Sequence, residues 1–344
     1  MTHRVVYLLG PEHVELRRLP VPVPGPGEML VRIGAATTCG TDVKVFRRGG
    51  HPRMLKAPTP FGHELAGTVA AVGAGVAAWR PGDRVVVANS APCGACEYCA
   101  CGRENLCTDL HYLNGAFAEH ILVPRRFVER NTHSVPAHLP FEIASLTEPL
   151  ACVLHGIDAC DLRRPSDVAV YGAGPIGLLF AGALRSLGHE VTLADPNDGR
   201  LSAGAALGAA RTVRIQREGG QAELVRRQAR RSGGFDAAID ATGVPEVWLD
   251  AIESVRPGGV VNLFGGCAPG TTVPLDTHRI HYSEITLKGV YHHRPATIRR
   301  ALEMLARGAF DARQLLSAER PLEELEEALR SMMRKEALKV VVRP

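Results

Sequence analysis

One glycine-rich segment in the second half of the chain constrains the fold more than any other feature. The run Gly172-Ala173-Gly174-Pro175-Ile176-Gly177 follows the apolar stretch VAVY and opens an apolar, helix-like stretch. Glycines at this spacing permit a tight turn, a close approach of the backbone to a pyrophosphate, and close packing of helix on strand. The next apolar stretch ends 18 positions after Gly177 at Asp195, a carboxylate suited to ribose hydroxyls. The segment therefore predicts a dinucleotide-binding unit.

Around this motif, strand-like apolar stretches alternate with helix-like stretches. Short apolar strands are predicted for DVAVYG, EVTLAD, FDAAID, GGVVNLFG and EITLKGVY, and helices for residues 176–187 and 221–231. Strands that alternate with helices predict a parallel sheet covered by helices on both faces. The predicted class is therefore α/β, with a doubly wound Rossmann domain.

The first 150 residues have a different character, with short β-branched stretches bounded by glycine or proline. They predict a β-rich barrel or sandwich. The chain ends with helices predicted over 297–307 and 322–334 and with a strand, LKVVVRP, that needs a sheet to join. Because 344 residues suffice for two domains, we predict a discontinuous β-rich domain of residues 1–150 and 292–344. The α/β domain then covers residues 151–291.

Five of the nine cysteines fall within one short stretch, which indicates metal binding rather than disulfide bonds. Cys93, Cys96, Cys99 and Cys107 have a spacing suited to a closed tetrahedral zinc site. Since four thiolates leave no open position, they predict a structural zinc in a lobe of residues 89–110. Cys101 is a competing ligand whose spacing fits less well.

Three further features indicate a second metal site. Cys39 with Thr41 follows an apolar strand, His63 with Glu64 precedes another, and Glu148 lies where the two predicted domains meet. A thiolate, an imidazole and a carboxylate with an unfilled position are typical of catalytic zinc. Taken singly, Cys39 and His63 also fit core residues, and Glu148 fits a surface acid. Their combination beside a nucleotide-binding unit indicates a catalytic metal.

Composition and charge argue against several other classes of function. The formal net charge is +4 without a long Lys/Arg run, which disfavours nucleic-acid binding. No uninterrupted apolar stretch reaches the roughly 18 residues of a membrane span, and the first residues lack the pattern of a secretory signal. We expect a cytoplasmic protein with a small-molecule substrate, no nucleic-acid partner and no membrane partner.

Together these motifs resemble those of the zinc-dependent medium-chain alcohol dehydrogenases. The resemblance is carried by CGTD, GHELAGTVAAVG, the four-cysteine lobe and GAGPIG, and it spans essentially the whole chain. Glu148-Pro149-Leu150 is similar to the sorbitol and polyol branch, and CGTDV is similar to the threonine dehydrogenase branch. The resemblance implies a GroES-like catalytic domain, a Rossmann domain and a cleft between them.

The resemblance also implies roles for individual residues. It implies a catalytic zinc on Cys39, His63 and either Glu64 or Glu148, and a proton relay through Thr41. On the cofactor side, it implies contacts from Ile176, Asp195, Arg200, Thr242, Phe264, Gly265, Gly266 and Val290. The carboxylate of Asp195 favours NAD, although an arginine at position 200 could meet the 2′-phosphate of NADP. A homodimer or homotetramer is usual in such families.

The implied reaction is oxidation of a secondary alcohol to a ketone, with the substrate open among polyols, sugars, cyclitols, threonine and anionic sugars. Lys44 stands where relatives commonly carry a relay histidine, and lysine relays protons poorly unless it is buried. Threonine is disfavoured because the run 88–90 (Ala-Asn-Ser) lacks the histidine that the threonine branch often carries there.

A basic run follows the first zinc cysteine. It either recognises a phosphate or carboxylate on the substrate or forms a solvated helix face, and it consists of Lys44, Arg47, Arg48, His51 and Arg53. Two rival interpretations are a zinc-free reductase of activated double bonds and a non-catalytic nucleotide-binding protein. Both conflict with the cysteine and histidine ligands described above.

Overall fold

The chain divides into two units. The first consists of Met1–Ala151, Arg294–Arg307 and Leu315–Pro344, and the second of Cys152–His293 and Gly308–Gln314. The computed structural model describes residues 1–216 and 218–344. The sequence pattern does not predict that residues 308–314 belong to the second unit. The domain limits drawn from the sequence stay a prediction.

The first segment of the chain is rich in short strands, as the sequence predicts. The strands are β1 (Thr2–Gly10), β2 (His13–Pro20), β3 (Met29–Thr37), β4 (Gly50–His51), β5 (Leu55–Lys56), β6 (Thr59–Pro60), β7 (Leu65–Val72), β8 (Arg84–Val87), β9 (Ser90–Ala91), β10 (His111–Tyr112), β11 (His120–Val123) and β12 (Thr132–Ser134). The helices are α1 (Gly40–Arg48), α2 (Glu97–Ala100), α3 (Arg125–Arg130), α4 (Phe141–Ala144) and α5 (Thr147–Ala159).

The second unit alternates strands and helices. They are β13 (Asp167–Tyr171), α6 (Pro175–Ser186), β14 (Glu190–Asp195), α7 (Asp198–Ala206), β15 (Arg211–Arg214), α8 (Ala222–Arg226), β16 (Phe235–Asp240), α9 (Pro245–Ser254), β17 (Val255–Leu263), α10 (Thr277–Tyr282) and β18 (Thr286–Gly289). The strands pair in parallel in the order β15-β14-β13-β16-β17-β18. This order confirms the doubly wound fold, in which ligands bind where the strand order reverses, here between β13 and β16.

The helix predicted over residues 221–231 is wrong in its length. The structure ends α8 at Arg226. The N–H groups of Gln228 and Ala229 donate to carbonyls three residues earlier, and the backbone N–H of Arg230 donates to the carboxylate of Asp167 at 2.7 Å. A long-range contact of this kind leaves no trace in local periodicity.

The chain then closes the first unit with α11 (Pro295–Ala306), β19 (Leu316–Pro321), α12 (Leu325–Met333) and β20 (Lys339–Arg343). The last strand, β20, pairs with β3 in antiparallel register, Val341 opposite Thr37, which confirms that LKVVVRP joins the sheet of the first segment. That sheet runs β12-β8-β7-β3-β20-β19, with β11 also on β3.

Each unit has its own hydrophobic core. The core of the first unit is mostly aliphatic and includes the edge-to-face pair of Phe61 and Phe117, whose ring centroids lie 5.6 Å apart. In the second unit β13 is buried along its whole length, as expected for a central strand covered on both faces. Among the described residues, no helix has the length and apolar character that crossing a bilayer requires.

Candidate metal and cofactor sites

The first unit brings together a thiolate, an imidazole and a carboxylate. One ligand atom each from Cys39, His63 and Glu64 lies within 4.8 Å of the other two. Cys39 caps the N-terminus of α1, and His63 and Glu64 directly precede β7. Gly62 turns the chain into this position with φ +91°, where a Cβ would lie 2.6 Å from the ring of Phe117. The donor set fits a zinc ion, which the N, O and S atoms of these residue types bind.

Asp42 orients the histidine of this group. Its Oδ1 lies 2.9 Å from Nδ1 of His63, and its Oδ2 accepts a hydrogen bond from the backbone N–H of Cys39 at 2.8 Å. Because Nδ1 is engaged, Nε2 is the nitrogen left for a metal. Burial alone would lower the pKa of His63, but the charges and hydrogen bonds of Asp42 and Cys39 raise it well above its usual value. Asp42 belongs to the CGTD segment, but no role is predicted for it from the sequence, although its position three residues after an N-cap is a capping signal.

Glu64 is held by a buried lysine. Nζ of Lys339, on β20, lies 2.7 Å and 3.0 Å from the two carboxylate oxygens, and the hydroxyl of Thr37 donates to Oε2 at 2.5 Å. Glu64 is fully buried and Lys339 is 1% exposed. A metal that used Glu64 would therefore share it with these two partners.

Glu148 lies in the first turn of α5 and is buried. It is not in the Cys39 group, whose ligand atoms all lie within 4.8 Å of one another. The geometry of the first unit therefore gives Glu64, rather than Glu148, as the carboxylate in that group.

The remaining residues predicted near this group lie on or after α1. Thr41 is half-buried in the first turn, and its backbone N–H points to Sγ of Cys39 at 3.5 Å. Lys44 is exposed, so it lacks the burial on which a relay role would depend. Arg47 and Arg48 are also exposed, and they occupy the last turn, where cations stabilise a helix.

His51 differs from the rest of the basic run. It lies in the β4–β5 hairpin, and its Nδ1 accepts hydrogen bonds from the backbone N–H groups of Arg53 and Met54, both at 3.1 Å. Burial, with the nearby cations Arg48 and Arg53, lowers the pKa of His51. The imidazole is therefore neutral near pH 7 and adds no charge to the run.

The four cysteines of the second predicted metal site also lie in the first unit. Cys93, Cys96, Cys99 and Cys107 bring their sulfur atoms together, with separations of 4.0 Å (93–99), 3.5 Å (96–99) and 3.8 Å (96–107). A tetrahedral zinc with bonds of about 2.3 Å sets its ligands about 3.8 Å apart, so the cysteines fit that ion. Cys101 is exposed, and its thiol donates to the carbonyl of Tyr98 instead.

The pKa values of two of these thiols shift in opposite directions. Backbone N–H groups of Thr108 and Cys99 lower the pKa of Cys96 to about 6, whereas burial raises the pKa of Cys99 to about 12. A dication offsets the cost of collecting such thiolates in one place, because it favours their deprotonated forms.

The glycine motif of the second unit lies at the carboxyl end of β13. Gly172 has φ +96°, and a Cβ on Gly177 would overlap the carbonyl oxygen of Gly172, so both positions require glycine. Gly174 has no heavy atom within 4 Å of a Cβ position, which leaves space at the start of α6. Pro175 and Ile176 occupy the first turn, where N–H groups without helical partners can meet a phosphate.

Asp195 ends β14 and is only 5% exposed. Its Oδ2 accepts from the backbone N–H of Ala173 at 2.7 Å and its Oδ1 from that of Asn197 at 2.8 Å. The carboxylate thus fixes the glycine loop, and each oxygen keeps a lone pair for a further donor. Arg200 is half-buried in α7, where its N–H is capped by Asn197 at 3.0 Å.

The other residues predicted to face a cofactor follow strands of the same sheet. Thr242 follows β16, the Phe264–Gly266 turn follows β17, and Val290 follows β18. They therefore lie along the carboxyl edge, where doubly wound sheets bind nucleotides.

Comparison with known proteins agrees with both units. Residues 25–133 match the family described as alcohol dehydrogenase GroES-like domain, and residues 175–307 match zinc-binding dehydrogenase. The chain is 36% identical over 321 residues to D-altritol 5-dehydrogenase of Agrobacterium fabrum, covering 90% of each chain. It is 30% identical over 359 residues to sorbitol dehydrogenase of Bacillus subtilis, covering 100% of this chain and 99% of the relative.

A solved structure is similar over its full length. It is a protein of Sinorhizobium meliloti described as a zinc-binding dehydrogenase bound to NADP, with 29% identity, a TM-score of 0.88 and complete coverage of both chains. The chain therefore belongs to the zinc-dependent medium-chain alcohol dehydrogenase family. It is an enzyme that uses zinc and a nicotinamide cofactor, as the sequence motifs predict.

Proposed function

We propose that this dehydrogenase oxidises a secondary alcohol of a polyol, sugar or cyclitol to a ketone, with NAD as the hydride acceptor. The observation that carries the proposal is the group of Cys39, His63 and Glu64, three donors of different chemistry that leave a position for substrate. Two of its relatives, over nine-tenths or more of their length, are named for polyols, altritol and sorbitol. The substrate alcohol loses a hydride from carbon and a proton from oxygen, which yields the ketone, NADH and one proton.

The chain's own residues prepare and support this reaction. When bound, zinc supplies Lewis-acid polarisation of the substrate hydroxyl, and the nicotinamide supplies the hydride acceptor. Asp42 keeps Nε2 of His63 free by engaging Nδ1 at 2.9 Å. The Thr41 hydroxyl, two residues after Cys39, accepts the hydroxyl proton and passes a proton on to water. Lys44, being exposed, has no part in this relay.

NAD is favoured over NADP by the buried carboxylate of Asp195. A 2′-phosphate beside this group would meet like charge, whereas a ribose hydroxyl would find an acceptor. The similar structure of the Sinorhizobium meliloti protein is bound to NADP, so the preference for NAD proposed here rests on Asp195 of this chain. Arg200, in the helix that follows, is the residue that would favour NADP.

A neutral substrate is favoured over an anionic one. Lys44, Arg47, Arg48 and Arg53 are exposed, as for a solvated helix face, and His51 is neutral near pH 7. The Lys44→Ala variant distinguishes the two cases. We expect KM for sorbitol or altritol to change by less than about twofold, since a rim charge contributes little to a neutral ligand.

The direct test is a panel assay of cofactor reduction. The zinc-loaded protein is supplied with altritol, sorbitol, xylitol, inositol, threonine, 2,3-butanediol and a sugar phosphate, with NAD and NADP in parallel. The proposal expects the highest kcat/KM with a neutral polyol and NAD. A protein that turns over only threonine, or only the phosphorylated sugar with a strong dependence on Lys44, would contradict it.

A further inference from the structure

Asp240 is the most buried charged residue at the cofactor edge of the second unit. It is the last residue of β16, has no exposed surface, and lies beside β13, where the strand order reverses. The sequence motifs do not include it, because an aspartate that ends an apolar strand looks like an ordinary turn residue. Its surroundings show a more specific arrangement.

The carboxylate of Asp240 accepts four hydrogen bonds. Oδ1 accepts from the backbone N–H of Thr242 at 3.0 Å and from its hydroxyl at 2.5 Å. Oδ2 accepts from the backbone N–H of Gly243 at 3.0 Å and from the indole N–H of Trp248 at 3.1 Å. Three of the four partners are N–H groups, which can only donate, so the arrangement needs two acceptor oxygens.

Asp240 and the residues bonded to it lie against two further loops of the carboxyl edge. Thr242 contacts the glycine motif, since a Cβ on Gly172 would lie 2.7 Å from the Thr242 methyl group. Gly265, after β17, lies so close that a Cβ there would be 2.5 Å from Oδ2 of Asp240. The backbone N–H of Gly265 also donates to the Asp240 carbonyl at 2.8 Å, and the indole of Trp248 reaches the Gly265 carbonyl at 3.3 Å.

Another buried aspartate of the second unit, Asp250, provides a contrast. Asp250 lies on α9, is 2% exposed, and accepts from the backbone N–H of Gln221 at 3.0 Å. Burial raises the pKa of both aspartates. Asp250 holds the start of α8, whereas Asp240 holds residues of the carboxyl edge. A comparison of variants at the two positions therefore separates the effect of losing any buried carboxylate from the effect of losing the Asp240 carboxylate.

We infer that Asp240 is a positioning residue for the nicotinamide cofactor. It fixes Thr242 against the glycine motif and fixes the Phe264–Gly266 turn, so that three loops present one preformed surface to the nucleotide. The inference rests on the proposed use of a nicotinamide nucleotide by this edge of the sheet. Asp240 does not touch the nucleotide itself, and its effect passes through Thr242 and Gly265.

The Asp240→Asn variant tests the inference. An amide has one acceptor oxygen, so its NH₂ group faces at least one N–H donor whichever way it lies, and one or two hydrogen bonds are lost. We expect the Kd for NADH, or for NADPH if that is the nucleotide bound, to rise about tenfold or more by calorimetric titration. The matched control, Asp250→Asn, is expected to leave that Kd within about twofold.

Trp248 gives a second readout that does not depend on activity. The chain has two tryptophans, so Trp79→Phe leaves Trp248 as the only indole. In that background Asp240→Asn is expected to change the Trp248 emission and to weaken its response to NADH, whereas Asp250→Asn changes neither. If Asp240→Asn does not fold, Trp248→Phe replaces it, and a Kd several-fold higher than that of the wild type is expected.

Two results would overturn the inference in different ways. A folded Asp240→Asn protein, or Trp248→Phe in its place, that binds the nucleotide as the wild type does would overturn it and leave the proposed function intact. A wild-type protein that binds neither NADH nor NADPH would overturn it together with the proposed cofactor.

Discussion

Single residues decide the charge around the candidate catalytic metal. Lys339 and Glu64 form a fully buried ion pair within the first unit, next to Cys39. Burial would lower the pKa of Lys339, but the charges of Glu64, Cys39 and Asp42 raise it, so the lysine stays protonated. The pair places a cation where it balances the carboxylate, and removal of either member leaves a buried charge uncompensated.

Loss of the lysine should therefore be costly. Lys339→Met is expected to lower the free energy of unfolding by about 3–5 kcal/mol, measured by urea denaturation. The double variant Glu64→Gln/Lys339→Met should recover part of this loss, because no unpaired charge remains. Lys56→Met, at an exposed position, is the control and should stay within about 0.5 kcal/mol of the wild type. Equal stability of Lys339→Met and Lys56→Met would contradict the account.

The sequence carries a signal for one member of this pair. A lysine inside the apolar run LKVVV needs a partner if that run is a buried strand. Its partner, Glu64, lies 275 residues away, and no local pattern connects the two. By contrast, Cys39, His63 and Glu64 could be proposed together because each belongs to a short motif with known ligand chemistry. The roles of Asp42 and Asp240 could not be predicted, because each belongs to a short capping or turn motif that is common in proteins without a functional role.

At the scale of elements, the four-cysteine lobe depends on its metal. The lobe contains the short helix α2, the 3₁₀ turn Glu104–Leu106 and the two-residue strand β9, with β10 beside it. Zinc therefore has to supply much of its local stability. Cys93→Ser is expected to lose one zinc per chain by metal analysis and to expose the lobe to proteolysis. Cys101→Ser, its neighbour outside the group, should keep both zincs and the wild-type resistance. Loss of zinc from Cys101→Ser instead would mean that the ligand set is wrong.

The glycine motif offers a second comparison at this scale. Gly177→Ala places a methyl group on the Gly172 carbonyl, so both stability and nucleotide binding should fall. Gly174→Ala meets no atom and keeps an allowed backbone conformation, φ −72°, so stability should be retained. If the pyrophosphate passes over Gly174, that variant should still raise the Kd for NADH by about tenfold or more. Normal nucleotide binding by Gly174→Ala would place the pyrophosphate elsewhere.

In the second unit, the strands could be predicted from the sequence more closely than individual contacts could. Buried parallel strands read as continuous apolar runs, which is why β13, β14 and β16 could be predicted within a residue. The end of α8 could not be predicted, since Asp167, about sixty residues earlier, captures the N–H of Arg230. In the first unit the final strand was predictable, but its register against β3 depends on the whole sheet.

At the scale of the whole molecule, buried histidines should make folding sensitive to acid. Burial, with the nearby charge of Arg299, lowers the pKa of His133 from 6.5 to about 4, and burial also lowers the pKa of His3 and His120. Below the unfolded pKa of 6.5, the unfolded chain binds protons that the folded chain does not. Stability from these groups is therefore complete above that value and is lost as the pH falls from 6.5 toward about 4.

His133→Gln isolates one part of this effect. The free energy of unfolding of the wild type should fall between about pH 7.5 and about pH 5, and the variant should reduce the fall by at most about 2 kcal/mol. His13→Gln, at an exposed position, should not alter it. An identical pH dependence in His133→Gln would show that this imidazole titrates normally in the folded protein.

The central claim is that Cys39, His63 and Glu64 form the metal centre at which the alcohol is oxidised. The most direct test is to measure polyol-dependent NAD reduction and zinc content together in the wild type, in Cys39→Ala and in Cys101→Ser. The account predicts two zincs per chain and full turnover for the wild type and Cys101→Ser. For Cys39→Ala it predicts one zinc, intact nucleotide binding and turnover lower by at least about a thousandfold. Turnover near the wild-type rate in Cys39→Ala, with only the lobe zinc bound, would contradict it.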